Sequence, residues 1–166
     1  IRTIAIAGYP NVGKSSLLKA LTGTNPEIKA YAFTTKRLNV GYFEAEPRTY
    51  QVIDTPGTFD TSREHMNTIE KQAFLVLDYL AEKILYVFDP SESCGYAVEK
   101  QINLLKTIQE KFKKPIIILC SKMDMNTPDT YGWHHYQSIK HLYADVLPIS
   151  IKDEHAIEAV KKEVRR

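Results

Sequence analysis

The chain has 166 residues, 43% hydrophobic and 25% charged, with a formal net charge of +2. Those figures fit one globular domain with a substantial core. The balanced charge carries no strong direct nucleic-acid signal, and no apolar run approaches the ~18 residues of a membrane span. Because it opens on Ile1 and carries nothing like a cleaved leader, the stretch 1–166 is read as a single domain excised from a longer protein. Cys94 and Cys120 are far apart and lack a partner pattern, which points to a reduced, cytoplasmic setting.

In chain order, Ile4-Ala5-Ile6-Ala7 reads as a short buried strand. It runs into Gly8-Tyr9-Pro10-Asn11-Val12-Gly13-Lys14-Ser15-Ser16, which fits the phosphate-binding pattern G-x-x-x-x-G-K-S/T without a mismatch. Leu17, Leu18 and Leu21 then recur at helical spacing up to Gly23. Strand, loop and helix in that order predict nucleoside triphosphate binding. The glycines let backbone N–H groups from Asn11, Val12, Gly13, Lys14, Ser15 and Ser16 converge on phosphate. Lys14 reaches the β- and γ-phosphates, and the Ser15 hydroxyl suits a Mg²⁺ ligand.

The stretch 37–54 reads as two strands around Glu46-Pro47, a hairpin that adds an antiparallel edge strand. Asp54-Thr55-Pro56-Gly57 closes it: a carboxylate positioned to hold Mg²⁺ through water, and a glycine N–H for the γ-phosphate. A hydroxyl between these motifs must complete the Mg²⁺ shell. Of Thr34 and Thr35, Thr35 is the better placed, the alternative being that both simply begin a strand. Further strands are expected at 84–88, 116–119 and 146–149, with helices near 68–82, 96–113, 132–142 and 153–165. The expected fold is α/β: a mostly parallel six-stranded sheet of the P-loop NTPase G-domain type, helices on both faces, ligands at the strand C-termini.

Two motifs bear on the base. Ser121-Lys122-Met123-Asp124 approximates the N/T-K-x-D element. The Asp124 carboxylate accepts two hydrogen bonds from guanine, which adenine does not offer, and the stem of Lys122 lies over the base. Ser121 departs from the usual Asn and is shorter, which places affinity rather than specificity in question. Ser150-Ile151-Lys152 resembles the S-A-K element, whose contribution is mainly backbone N–H.

Taken in order, Gly8–Ser15, Thr34-Thr35, Asp54–Gly57, Ser121–Asp124 and Ser150–Lys152 resemble a translation-factor-class GTPase domain, and Tyr-Ala-Phe-Thr-Thr-Lys at 31–36 resembles its Obg-like branch. Asn67–Ala73, and Ser93-Cys94-Gly95-Tyr96 with Glu99 and Gln101, look like the nucleolar GTP-binding protein (Nog) family, in particular an archaeal member. The resemblance implies GTP and GDP as ligands, Mg²⁺ as cofactor, and a part in assembly of the large ribosomal subunit, in the cytoplasm or, in a eukaryote, the nucleolus. Thr58 and Phe59 follow Gly57 where Ras-like proteins carry a water-orienting Gln, which implies slow hydrolysis. Arg37 is a weak candidate for a catalytic cation. Asn11 has two readings: a ligand for K⁺, as in relatives that use that ion, or a turn residue tolerant of left-handed angles. Two functional alternatives stand beside the GTPase: a nucleotide-dependent binding module with negligible hydrolysis, and an ATPase with drifted base specificity. Segments 24–36 and 57–67 are expected to be ordered only by triphosphate.

Overall fold

The sheet grows outward from β1 (Arg2–Ala7), whose residues Ile4 to Ala7 are all buried. Consecutive strand residues point to opposite faces, so burial of four in a row requires cover on both sides. β5 (Lys83–Phe88) is buried in the same way. The computed structural model of the protein describes residues 1–23, 25–34, 37–55 and 68–166. Thr35, Gly57, Thr58 and Phe59, and with them the whole 57–67 segment, lie outside the described residues.

The remaining elements are α1 (Lys14–Thr22), β2 (Glu27–Lys29), β3 (Leu38–Ala45), β4 (Arg48–Asp54), α2 (Thr68–Leu75), α3 (Val98–Lys111), β6 (Ile116–Cys120), α4 (Tyr131–Leu142), β7 (Leu147–Pro148) and α5 (Glu154–Arg165). α2 continues into a π-helical turn at Val76–Leu80, closed by Ala81 N–H donating to Val76 O at 3.1 Å. The sheet order is β2-β3-β4-β1-β5-β6-β7. β1 lies parallel to β4 and β5, and β5, β6 and β7 continue in parallel. β3 is antiparallel to β4 and to β2.

The expected architecture is present, with one strand more than the sequence reading counted. β2 falls inside the 24–36 segment, pairs with β3, and displaces the antiparallel strand from the edge. Only three residues long and largely exposed, it has no apolar pattern to betray it; backbone pairing alone makes it a strand. β7 is likewise shorter than its apolar run. After β1 the chain goes to one side of the sheet, and after β4 it crosses to the other. The phosphate loop therefore sits at the point where strand order reverses, the usual ligand crevice of open α/β sheets.

Candidate nucleotide-binding site

The loop between β1 and α1 is held in backbone conformations that few side chains tolerate. Gly8 has φ 150° and Gly13 φ 115°. A Cβ on Gly8 would stand 2.9 Å from Val87 O and 3.0 Å from Val12 Cγ2, so β5 and the loop close together only because that atom is missing. Asn11, at φ 67°, adopts the left-handed angle that its turn reading predicts. Its side chain is exposed, and its backbone carbonyl accepts from Lys122 Nζ at 3.0 Å. α1 begins at Gly13 without a side-chain cap or an acidic residue in its first turn, and Ser16 is exposed there. The N–H groups at this end are thus not taken by a capping side chain, the arrangement that suits an anion.

Lys14 is buried, and its ammonium donates to Tyr9 O at 2.8 Å. Burial lowers its pKa, opposed by the Asp54 carboxylate. At the end of β4, Asp54 Oδ2 accepts from Ser15 Oγ at 2.8 Å. Its other oxygen, Oδ1, is buried and finds no hydrogen-bond partner among the described residues. Burial raises the Asp54 pKa, with Lys14 and Ser15 acting the other way. A hydroxyl and a half-buried carboxylate with one unpartnered oxygen, side by side, are the donor set of a hard divalent cation, so the residues present fit Mg²⁺. The neighbouring Thr55 is locked to β1, with its Oγ1 donating to Ile6 O at 2.6 Å. Thr34 spends both its N–H and its hydroxyl on Tyr31 O, at 3.0 and 3.1 Å, closing a local turn.

The base side is assembled from the ends of β6 and β7. Ser121 reaches back to the phosphate loop. Despite its length, Ser121 Oγ donates to Val12 O at 2.6 Å and lies 3.0 Å from Phe88 O. The reason is proximity: a Cβ on Gly13 would be only 3.6 Å from Ser121 Cβ, so a short hydroxyl spans the gap. Lys122 adopts φ 59°, and Asn126 Nδ2 holds its carbonyl at 2.8 Å. Asp124 stands 3.7 Å from Lys152 Nζ, which brings the Ser150-Ile151-Lys152 loop to the same place. Ser150 is buried and its Oγ accepts from Lys152 N at 3.2 Å, while Ile151 is exposed.

Two residues of this region were not singled out as site residues from the sequence. Asp89, at the end of β5, and Gln101, on α3, are both completely buried and pack beside Lys122 and the loop after β5. The rule that drew attention to Asp54, a carboxylate directly after an apolar strand, applies equally to Asp89.

A phosphate loop at the switch point, a cation-ready Ser–Asp pair and a Lys-x-Asp turn across from them define a P-loop G domain. Residues 3–122 match the family described as 50S ribosome-binding GTPase. Protein MJ1408 of Methanocaldococcus jannaschii is 54% identical over 123 residues, covering 74% of this chain and 34% of that protein. Nucleolar GTP-binding protein 1 of Drosophila melanogaster is 40% identical over 167 residues, covering 98% of this chain and 26% of that protein. Among solved structures, a nucleolar GTP-binding protein 1 from Plasmodium falciparum superposes with a TM-score of 0.74 at 32% identity, covering 98% of this chain and 83% of that one. The G domain of FeoB from T. maritima gives 0.77 at 28%, with 98% and 96% covered. The chain belongs to the 50S ribosome-binding GTPase family, and its relatives there include the nucleolar GTP-binding proteins. It spans about a third of MJ1408 and about a quarter of the Drosophila protein.

Proposed function

We propose that this domain binds GTP and GDP with Mg²⁺, hydrolyses GTP slowly, and acts as a nucleotide switch in assembly of the large ribosomal subunit. The observation that carries the reading is the pairing of Ser15 with Asp54 beside buried Lys14, with Asp54 Oδ1 left without a hydrogen-bond partner among the described residues. In this reading Lys14 turns from Tyr9 O to the β- and γ-phosphates, and the N–H groups from Asn11 to Ser16 enclose them. Ser15, Asp54 and the Thr35 hydroxyl hold Mg²⁺, which neutralises charge on the phosphate oxygens. Gly57 N–H meets the γ-phosphate, and Ser121, Lys122, Asp124 and the 150–152 loop receive guanine. Thr58 stands in the sequence where Ras-like proteins have a water-orienting amide, which supports a low intrinsic rate.

The test uses full-length protein and purified large-subunit precursors. Co-sedimentation is expected with a non-hydrolysable GTP analogue and lost with GDP, with turnover rising on the particle. Equal co-sedimentation in both nucleotide states would overturn the switch, and competition of labelled GTP by ATP at equal strength would overturn the guanine assignment.

Potassium is the second cation of this reading. The Asn11 side chain, exposed at the mouth of the loop, carries an amide oxygen of the kind that K⁺ takes as a ligand. GTP turnover is expected to be faster in K⁺ than in Na⁺ at matched ionic strength. Asn11→Ala should remove that difference and leave nucleotide binding largely intact. Identical rates in both salts would leave Asn11 as a turn residue alone.

A further inference from the structure

The loop after β5 is built around one carboxylate. Among the described residues Asp89 is the only acidic side chain that is completely buried, and both of its oxygens are fully used. Oδ1 accepts from Ser91 N at 3.1 Å and Ser91 Oγ at 2.6 Å. Oδ2 accepts from Cys94 N at 2.8 Å, Ser93 Oγ at 3.1 Å and Lys122 Nζ at 2.9 Å. Gln101 clamps the same loop from α3: its Oε1 takes Asp89 N at 2.8 Å, and its Nε2 reaches Asp89 O at 3.0 Å and Tyr96 O at 2.9 Å.

The lysine at the centre is equally saturated. An ammonium has three donors, and Lys122 spends them on three acceptors: Asp89 Oδ2 at 2.9 Å, Ser93 Oγ at 2.9 Å and Asn11 O at 3.0 Å. Those acceptors belong to two segments, the phosphate loop and the loop after β5. The two are joined a second time where the Tyr9 and Tyr96 rings stack, centroids 4.1 Å apart and 13° between planes.

We propose that Asp89 is a positioning residue for base recognition: it holds the Lys122 ammonium against the phosphate-loop carbonyl of Asn11, so that the lysine stem is a fixed platform for the purine ring. This rests on the guanine-nucleotide reading above. Loop capping alone does not account for the ion pair. Ser91 and Cys94 already satisfy the carboxylate, yet a lysine from 33 residues away also donates to it at 2.9 Å. With Asp89 buried and Lys122 only 23% exposed, solvent screens this pair little. Burial would raise the Asp89 pKa, but hydrogen bonds from Ser91, Lys122 and Cys94 bring it below the usual carboxylate range, so the anion is the resident form.

The test is a double-mutant cycle on dissociation of fluorescent GDP and GTP from the full-length protein, comparing wild type, Asp89→Asn, Lys122→Met and the double variant. Asp89→Asn is expected to speed release of both nucleotides by about tenfold, a positional loss blind to the γ-phosphate. In the Lys122→Met background the same change should add nothing, because Asp89 acts through that lysine. A factor that persists there overturns the proposal, as does unchanged release from Asp89→Asn. Should Asp89→Asn fail to fold on thermal melting, the exposed Ser93→Ala in the same two backgrounds decides the question, with about a threefold effect present only when Lys122 is intact. A wild type that retains no guanine nucleotide would overturn the functional reading and this proposal together. A wild type that binds, with multiplicative effects in the cycle, would overturn this proposal alone.

Discussion

Asp124→Asn is expected to lower affinity for GTP and GDP by about two to four orders of magnitude and to shift preference to xanthine nucleotides. Two charge-assisted hydrogen bonds to guanine are at stake, each contributing about 1.5–3 kcal/mol. An amide in that position keeps one acceptor and adds a donor, which mismatches the exocyclic amine of guanine and matches the carbonyl of xanthine. Among the described residues the only ionic partner of Asp124 is Lys152, 3.7 Å away and 80% exposed. Exposed pairs of this kind contribute about 0–1 kcal/mol, so the carboxylate is recruited by a base at little cost. Competition titrations with guanine, xanthine and adenine nucleotides check the result. Unchanged GTP affinity in the variant would remove Asp124 from base recognition.

Asp54→Asn is expected to move stability and function in opposite directions. One oxygen of the Asp54 carboxylate is buried and unpartnered among the described residues, and burial raises the pKa of the group. An unsatisfied buried group costs about 1–3 kcal/mol, more when charged. The amide removes the charge and keeps an acceptor for Ser15 Oγ, now 2.8 Å away, at the expense of a buried NH₂. A net gain of about 1–2 kcal/mol corresponds to a rise of about 2–8 °C in the melting temperature of the nucleotide-free domain. The same change should reduce the Mg²⁺ enhancement of GTP-analogue binding by about tenfold to a hundredfold, the loss of one charge-assisted contact. Thermal melts without nucleotide and Mg²⁺ titrations with the analogue read the two effects separately. A variant that loses stability while keeping its Mg²⁺ response would mean that Asp54 is structural.

Much of this arrangement follows from short stretches of chain. A buried strand, two glycines, a lysine and a serine within one turn define the phosphate loop, since nearly all its geometry is local backbone conformation. Asp54, Ser121 and Asp124 are legible for a related reason: in a parallel sheet every strand ends on the same side, so motifs placed just after apolar runs gather there without further instruction. The strands β1, β3 to β6 and, among the described residues, the helices α1 to α5 likewise emerge from patterning, with shifts at their ends.

What patterning could not supply were the distances between segments remote in sequence. β2 exists because β3 offers it a free edge, not because Glu27-Ile28-Lys29 resembles a strand. The reach of Ser121 is set by how closely β6 approaches a glycine of the phosphate loop, a gap of a few ångströms that residue type does not encode. Asp89, read alone, is a carboxylate after a strand; only the packed sheet puts it against Lys122 and makes it part of a network that also includes Gln101 and Ser93. Local sequence therefore determined which chemical groups the crevice carries, because backbone turns and strand periodicity act over a few residues. Tertiary structure alone decided which of those groups touch, because hydrogen bonds and ion pairs depend on sub-ångström to ångström separations fixed by core packing.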